Sequence, residues 1–266
     1  MPAIVVDKVS SIRLKTGDEI ARMRAANQIV AQVLEVLENA VAPGVSTFEL
    51  DQLAERHCRE CGGAPAFKGY YGFPASLCAS INEEVVHGIP SRRRVLREGD
   101  IISLDFGVLY QGFYGDAAIT LPVGRVSERK QQLIQVTEEA LHKGIEQARI
   151  GNRVADISRA VQEHVEAAGF SIVRQYVGHG VGTQLHEAPE VPNYCTAGKS
   201  TPRLLEGMVL AIEPMVNMGG YAVKTLDDHW TVVTEDRQPS AHFEHSVAIT
   251  ATGPRILSRR DSPEPE

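Results

Sequence analysis

Residues 101–122 read IISLDFGVLYQGFYGDAAITLP, two apolar runs broken once, at Tyr110-Gln111-Gly112. Both arms are rich in β-branched and aromatic residues and the break is a turn signal, so the segment predicts a β-hairpin. Each arm carries one acid, Asp105 and Asp116. The turn lies midway between them, so the two acids are expected to face each other within a residue and to share one face of the sheet. Like charges so placed repel, and neither arm contains a Lys or Arg to separate them.

Two further acids sit in the same kind of surroundings, Glu213 in MVLAIEPMV and Glu244 in FEHSVAIT. Burying one unpaired carboxylate costs about several kcal/mol, so four of them in apolar strands need a common partner. A pair of divalent cations supplies it, because their combined charge matches that of four carboxylates. Oxygen-rich ligands suit Mn²⁺, Fe²⁺, Co²⁺ or Zn²⁺. Two such ions about 3.5–4 Å apart form a hydrolytic centre that activates water and polarises a carbonyl.

Three of the nine histidines stand in glycine-rich or turn contexts: His87 in VHGIP, His179 in GHGVG and His186 in LHEAP. Glycine beside a histidine lets the backbone approach a ligand closely. The run GHGVG lacks the G-x-G-x-x-G spacing of a dinucleotide loop. His57, His142 and His164 lie in polar, helical surroundings and read as surface residues.

Working outward, Thr16-Gly17-Asp18-Glu19 has capping-box spacing, and Ile20, Met23, Val30, Val33, Leu34, Leu37 and Val41 follow with helical periodicity until Pro43-Gly44. Ser46-Thr47-Phe48-Glu49 opens a second helix that ends at Gly62-Gly63. FKGYYGFP reads as a loop, and residues 76–122 read as strands and tight turns. A shift of 107 matches Gly44 with Gly151, His57 with His164 and Gly62 with Gly169. A shift of 108 matches Gly99 with Gly207 and Asp105 with Glu213. The ordered series points to a duplicated α+β domain, its helices covering one face of a curved, mainly antiparallel sheet. The expected organisation is a flexible lead over 1–11, one domain over 12–252 with pseudo-repeats 12–124 and 125–252, and a disordered tail over 253–266.

Composition limits the alternatives. The chain has 266 residues, 43% hydrophobic and 23% charged, as in an ordinary globular domain. No apolar run approaches the roughly 18 residues of a membrane span. A net charge of −7 argues against general DNA or RNA binding. The opening MPAIVVDKVSSIRLKTGDE has no long apolar run after a basic segment, so no secretion signal is expected. Four cysteines do not make a disulfide scaffold, and Cys58-x-x-Cys61 has no second pair to complete a zinc site. Reduced packing cysteines and a cytoplasmic location are expected.

The segments SINEEVVHGIP, SLDFGV, GDAAIT, GHGVG, LHEAP, AIEPM and FEHSVAIT, in this order, closely resemble the type I methionine aminopeptidases. The resemblance spans about residues 12–252. It implies the duplicated pita-bread fold and removal of the initiator methionine from nascent proteins when the second residue is small. By motif, it implies metal ligands at Asp105, Asp116, His179, Glu213 and Glu244, for two divalent ions whose identity (Co, Mn, Fe or Zn) stays open. Asp116 and Glu244 would bridge both ions, Asp105 would hold one, and His179 with Glu213 the other. His87 and His186 would contact the substrate, and Glu213 would also carry a proton to the leaving amine. A methionine pocket is implied at Phe67, Tyr70, Phe73, Cys78, Leu185 and Trp230, with soft and aromatic walls suited to a thioether. Phe67 and Phe73 depart from the Cys and Tyr frequent in bacterial members, which leaves the pocket's detail open.

The same fold serves prolidases, Xaa-Pro aminopeptidases, creatinase and metal-free binding proteins. The first three usually carry an extra N-terminal domain, and the last lose ligands that this chain keeps. The short spacing between Glu213 and Glu244 has no room for the type II insertion. The implied partners are N-terminal peptides of nascent proteins, with transient ribosome contact, and the implied state is a monomer of bacterial or organellar type. The rival reading is a catalytically silent protein that binds nascent chains.

Overall fold

The computed structural model describes residues 12–196, 198 and 200–260. The expected N-terminal lead lies outside the described residues. The chain runs through α1 (Gly17–Ala40), α2 (Thr47–Glu60), β1 (Ala64–Pro65), β2 (Cys78–Ile81), β3 (Glu84–Val86), β4 (Ile101–Tyr110) and β5 (Phe113–Pro122). It continues through α3 (Glu128–Gln147), α4 (Val154–Ala167), β6 (Ser171–Ile172), β7 (Gly178–Gly180), β8 (Glu187–Val191) and β9 (Val209–Ile212). It closes with β10 (Met215–Asn217), β11 (Val223–Thr225), β12 (Val232–Thr234), β13 (Ser240–His242), β14 (Glu244–Thr250) and β15 (Gly253–Ile256). Both helix starts carry the capping boxes legible in the sequence, Thr16 with Glu19 and Ser46 with Glu49.

The main sheet is ordered β1-β4-β5-β14-β9-β7-β8, with β2 also on β4 and β15 also on β14. Its pairings are antiparallel. The 101–122 hairpin is its longest ladder, and the two-residue turn is Gln111-Gly112, both at positive φ (49° and 80°) as a type I′ turn requires. That turn sits one residue later than the break suggests. Asp105 therefore stands opposite Ala118 and Asp116 opposite Gly107, so the acids are diagonal and not directly opposed as expected. They still share a face, because opposite partners do and 105 and 107 have the same parity.

The other face is largely apolar, with His245 of β14 its polar member, bonded through Nδ1 to Ser258 Oγ at 2.8 Å. Leu104, Phe106 and Val108 of β4 and Ala117 of β5 pack with Val30, Val33 and Leu37 of α1 and Leu50 of α2. Leu210 and Ile212 of β9 and Val247 and Ile249 of β14 pack with Leu133 and Leu141 of α3 and Ile157 of α4. Each half of the sheet thus rests on its own helix pair.

The halves correspond in detail. Helices α2 and α4 have the same length, 14 residues, 107 positions apart. Gly44 and Gly151 share φ (95° and 96°), as do Gly62 and Gly169 (78° and 73°) and Gly99 and Gly207 (89° and 86°). An isolated bridge fixes each second helix start, Ser46 with Val95 and Arg153 with Arg203.

The first residues of the expected tail are ordered. Residues 253–256 form β15 on β14, and Leu257 is fully buried. Thr250 Oγ1 donates to the Gly253 carbonyl across the connecting turn at 2.7 Å, so the Gly-Pro pair that reads as a chain exit is instead the start of an edge strand. Pro254 is tolerated because edge strands leave one side unpaired.

Helix α1 lies almost against the hairpin at Gly115. A Cβ there would stand 2.8 Å from the Asn27 backbone nitrogen and 2.9 Å from the Ala26 carbonyl carbon. Gly115→Ala should therefore lower stability by about 1–3 kcal/mol through overpacking. A urea titration of the purified variant, giving an unchanged midpoint, would show that α1 can move off the sheet freely.

Candidate metal centre and substrate cavity

One candidate ligand comes from each of five neighbouring strands. Asp105 is on β4, Asp116 on β5, Glu244 on β14, Glu213 directly after β9, and His179 on β7. Asp105, Ala118 and Glu244 are successive partners across the sheet. Ser246, Ala211 and His179 form a second row, two positions along. The remaining members of these rows on the site face are small (Gly107, Ala118, Ala211 and Ser246), so the space above the acids stays open. One oxygen each of Asp116 and Glu244 and a ring nitrogen of His179 lie within 4.8 Å of one another. Glu213 joins them through Oε1, 3.5 Å from His179 Nε2.

The electrostatics demand a cation. Burial pushes Asp105 up to about 7. Burial, then the charge of the neighbouring acids, holds Asp116, Glu213 and Glu244 well above the carboxylate range. No Lys or Arg among the described residues pulls any of them back down. Asp105 Oδ1, Asp116 Oδ1 and Glu244 Oε1 are buried without a hydrogen-bond partner. Orphaned carboxylate oxygens converging with an imidazole fit divalent metal ions, and nothing else on the site face satisfies them.

His179 is prepared as a nitrogen donor. Its Nδ1 lies 2.9 Å from the Gly180 carbonyl, which takes the Nδ1–H and leaves the Nε2 lone pair free. Burial pushes its pKa down to about 4, so the ring is neutral near pH 7. The flanking glycines are required by close approach: a Cβ on Gly178 would meet the Ala211 carbonyl oxygen at 2.3 Å, and one on Gly180 that of Ala188 at 2.3 Å.

Beside the acids is a cavity of about 570 Å³. Phe67, Phe73, Cys78 and Leu185 form a buried apolar cluster, with Tyr70 and Trp230 packed against it. All six residues that the resemblance implies for a pocket thus meet in one wall. The ring of Phe67 occupies the place a side chain at position 107 would take, 2.6 Å from that Cβ. Trp230 meets Phe73 edge-on, with centroids 5.1 Å apart. Asp228 presents it by accepting from the backbone N–H of Trp230 and Thr231 at 2.9 and 2.8 Å. His87 and His186 also line the cavity, and His186 Nδ1 is 2.8 Å from the Tyr70 hydroxyl.

Sequence reasoning missed His242, Tyr176 and Met215, which line the same cavity. Only His242 carried a usable signal, as a histidine two positions before Glu244. Cys58 lies in the core under α2 with its thiol pushed up to about 12 by burial, and the cysteines of the described residues are unbridged. No helix among the described residues is long and apolar enough to cross a membrane.

The chain belongs to metallopeptidase family M24, which it matches over residues 21–251. Its similar curated relatives are methionine aminopeptidases. That of Clostridium acetobutylicum (strain ATCC 824) is 55% identical over 247 residues, covering 93% of this chain and 98% of the relative. Methionine aminopeptidase 1 of Bacillus subtilis (strain 168) is 55% identical over 245 residues, covering 92% and 98%. The solved methionine aminopeptidase of Thermotoga maritima superposes with a TM-score of 0.92 at 46% identity, covering 94% of this chain and all of that one (100%). A prolidase from Pyrococcus horikoshii OT3, 23% identical with a TM-score of 0.76, covers 94% of this chain and 64% of that one and shares the fold alone. The fold is the pita-bread fold, and the chain is a metallopeptidase.

Stripped of metal, the protein should lose stability as pH rises. The folded carboxyls hold protons that the unfolded chain releases, because their folded pKa values are raised. The stability they contribute is therefore fully present below about pH 4 and falls as pH climbs toward the folded values, which for Asp105 is about 7. Saturating Mn²⁺ should reverse the loss, since it binds the folded state. Asp116→Asn should raise the chelated protein's Tm at pH 8 while shrinking the gain from Mn²⁺. A chelated wild type whose Tm does not fall between pH 5 and 8 would contradict the picture of mutually repelling acids.

Proposed function

We propose that this chain removes the N-terminal methionine from peptides and nascent proteins whose second residue is small, using two divalent cations. The observation that carries this reading is the convergence of Asp116, His179 and Glu244, with Asp105 and Glu213 beside them, next to a cavity with an aromatic and apolar wall. Asp116 and Glu244 would be shared by the two ions, Asp105 would hold one of them, and His179 with Glu213 would hold the other. When bound, the ions supply a nucleophile at neutral pH and polarise the carbonyl under attack. Mn, Fe, Co and Zn all suit this donor set. The identity of relatives named as methionine aminopeptidases supports the same substrate.

The chain's own residues do the rest. Glu213, beside His179, takes a proton as the peptide bond is attacked and delivers it to the leaving amine. The Tyr70 hydroxyl lies 2.8 Å from His186 Nδ1; in the tautomer where it donates there, His186 Nε2–H is left as a donor to the tetrahedral oxyanion. Burial holds the His87 pKa at about 4, so this ring too acts as a neutral hydrogen-bonding group on the substrate amide. Phe67, Phe73, Cys78, Leu185, Tyr70 and Trp230 exclude water from the methionine side chain. The enzyme acts as a cytoplasmic monomer on N-termini as they leave the ribosome, and the net charge of −7 disfavours nucleic acid as a substrate.

The direct test is release of methionine from Met-Ala-Ser with Mn²⁺ or Co²⁺, lost on chelation and regained on adding metal back. No release under any of the four metals would end the proposal. Under one metal condition, Nle-Ala-Ser should be cleaved nearly as well as Met-Ala-Ser. Leu-Ala-Ser, branched but of similar volume, should fall about 10- to 200-fold in kcat/KM, the 1–3 kcal/mol of a methylene-scale mismatch. Equal rates for leucine and methionine would make the cavity a broad apolar pocket instead.

His87→Ala and His186→Ala should each leave metal content near that of the wild type while kcat falls about 10²–10³-fold, the usual cost of an oxyanion-type donor. Metal loss in either variant, read by elemental analysis, would move that histidine into the ligand set.

A further inference from the structure

His242 is a buried polar side chain lining the cavity that the reaction described so far leaves unused. It ends β13, is 1% exposed, and neither ring nitrogen has a hydrogen-bond partner. Buried imidazoles are seldom left unpaired, so the complete site should give this one a partner.

Its backbone is fixed from the site face of the hairpin. Thr120 Oγ1 donates to the His242 carbonyl at 2.7 Å and accepts the His242 N–H at 2.8 Å. Since the Thr120 proton is used there, Ser103 Oγ donates to Thr120 across 2.8 Å and saturates it. The hairpin that bears Asp105 and Asp116 thereby also sets the position of His242.

The ring points at Glu213. Its Nε2 is 3.7 Å from Glu213 Oε2, while His179 Nε2 is 3.5 Å from Oε1. The carboxylate is flanked by an imidazole on each oxygen. His179 has no proton to offer, because its Nδ1–H is spent on the Gly180 carbonyl. Of the two rings, only His242 has a proton free for Glu213. A shift of a few tenths of an ångström brings its Nε2 within hydrogen-bond distance.

We infer that His242 is a positioning residue, whose Nε2–H holds the Oε2 edge of Glu213 so that the Oε1 edge stays turned toward His179 and the other acids. This rests on the reading of Glu213 as metal ligand and proton carrier. It adds a residue to that machinery which acts through Glu213 and does not touch the peptide.

The test uses the full chain and three substitutions. In His242→Gln the amide nitrogen reaches the place of ring Nε2. In His242→Asn it reaches only that of Nδ1, and His242→Leu has no donor. Outer partners of metal ligands typically contribute about 10–100-fold to affinity or activity. His242→Leu and His242→Asn should each lose at least about tenfold in Mn²⁺ affinity by calorimetry and in kcat, with the KM for Met-Ala-Ser within about threefold of the wild type. His242→Gln should recover both to within about threefold.

If the leucine variant does not fold, the contrast between Gln and Asn still decides. Equal Mn²⁺ affinity and kcat for Gln and Asn would overturn the inference, as would a rise in KM alone, which marks a substrate contact. Affinity is measured without peptide, so the inference stands or falls there by itself. An inactive wild type on Met-Ala-Ser would strike only the proposed substrate.

Discussion

The repulsion among four carboxylates on one sheet face governs this molecule. Asp116 and Glu244 bring oxygens within 4.8 Å, where two unit charges repel by about 3.5 kcal/mol at an effective dielectric of 20. Asp105 and Glu213 add to that field, and no Lys or Arg among the described residues relieves it. Metal ions remove the repulsion, but the scaffold must hold the acids together before they arrive. Side chains on flexible loops would swing into water. Here four of the five donors sit within β4, β5, β14 and β7, and Glu213 follows β9 directly, so spreading them apart means breaking ladder hydrogen bonds.

The opposite face supplies the resistance. Every strand that carries an acid on one side carries fully buried aliphatic or aromatic residues on the other, Leu104 and Phe106 beside Asp105 and Leu210 and Ile212 before Glu213. Burying each such side chain contributes about 1.5–3 kcal/mol, and each cluster contains many. Close backbone contact adds rigidity where the ligands are densest, since Gly178 and Gly180 let β7 press against Ala211 and Ala188. The site can be strained because the sheet behind it is over-determined.

Much of this was legible in the sequence, for a physical reason. A carboxylate inside an apolar strand violates the ordinary pattern, and Asp105, Asp116, Glu213 and Glu244 each do so visibly. Capping boxes at Thr16 and Ser46 are equally local signals, and the structure follows them. What failed depended on geometry beyond the local pattern. The hairpin register moved by a residue because Gln111 and not Tyr110 takes the first left-handed position of the turn. Strand β15 escaped notice because Gly253-Pro254 reads as a stop, while the free side of β14 offered it a ladder. His179 stood out with His87 and His186 by its glycine-rich context, but only the family resemblance implied it as a ligand, since a histidine between glycines has no periodicity to mark its role. His242 belongs to the short strand β13, which pairs with β10 and not with the main sheet. Its approach to Glu213 follows from Thr120, 122 positions away in the chain.

The duplication explains both the symmetry of the scaffold and the asymmetry of the site. Asp105 and Glu213 occupy equivalent places in the two halves, as β4 and β9 do. Strand β7 stands against β9 as β2 stands against β4. His179 is opposite Ala211, and the equivalent place in the first half is Ser80, opposite Ser103. Ser80 is no spare residue: its Oγ accepts the Gly88 N–H at 3.1 Å and so anchors the turn that carries His87. One half therefore spends this position on a nitrogen donor facing the acids, and the other spends it on fixing a histidine that faces the cavity. Two copies of one scaffold could not by themselves give a site with a side that gathers the acids and His179 and a different side that carries His87. Divergence at this pair of positions creates that distinction while leaving the helices, the caps and the glycine turns in register.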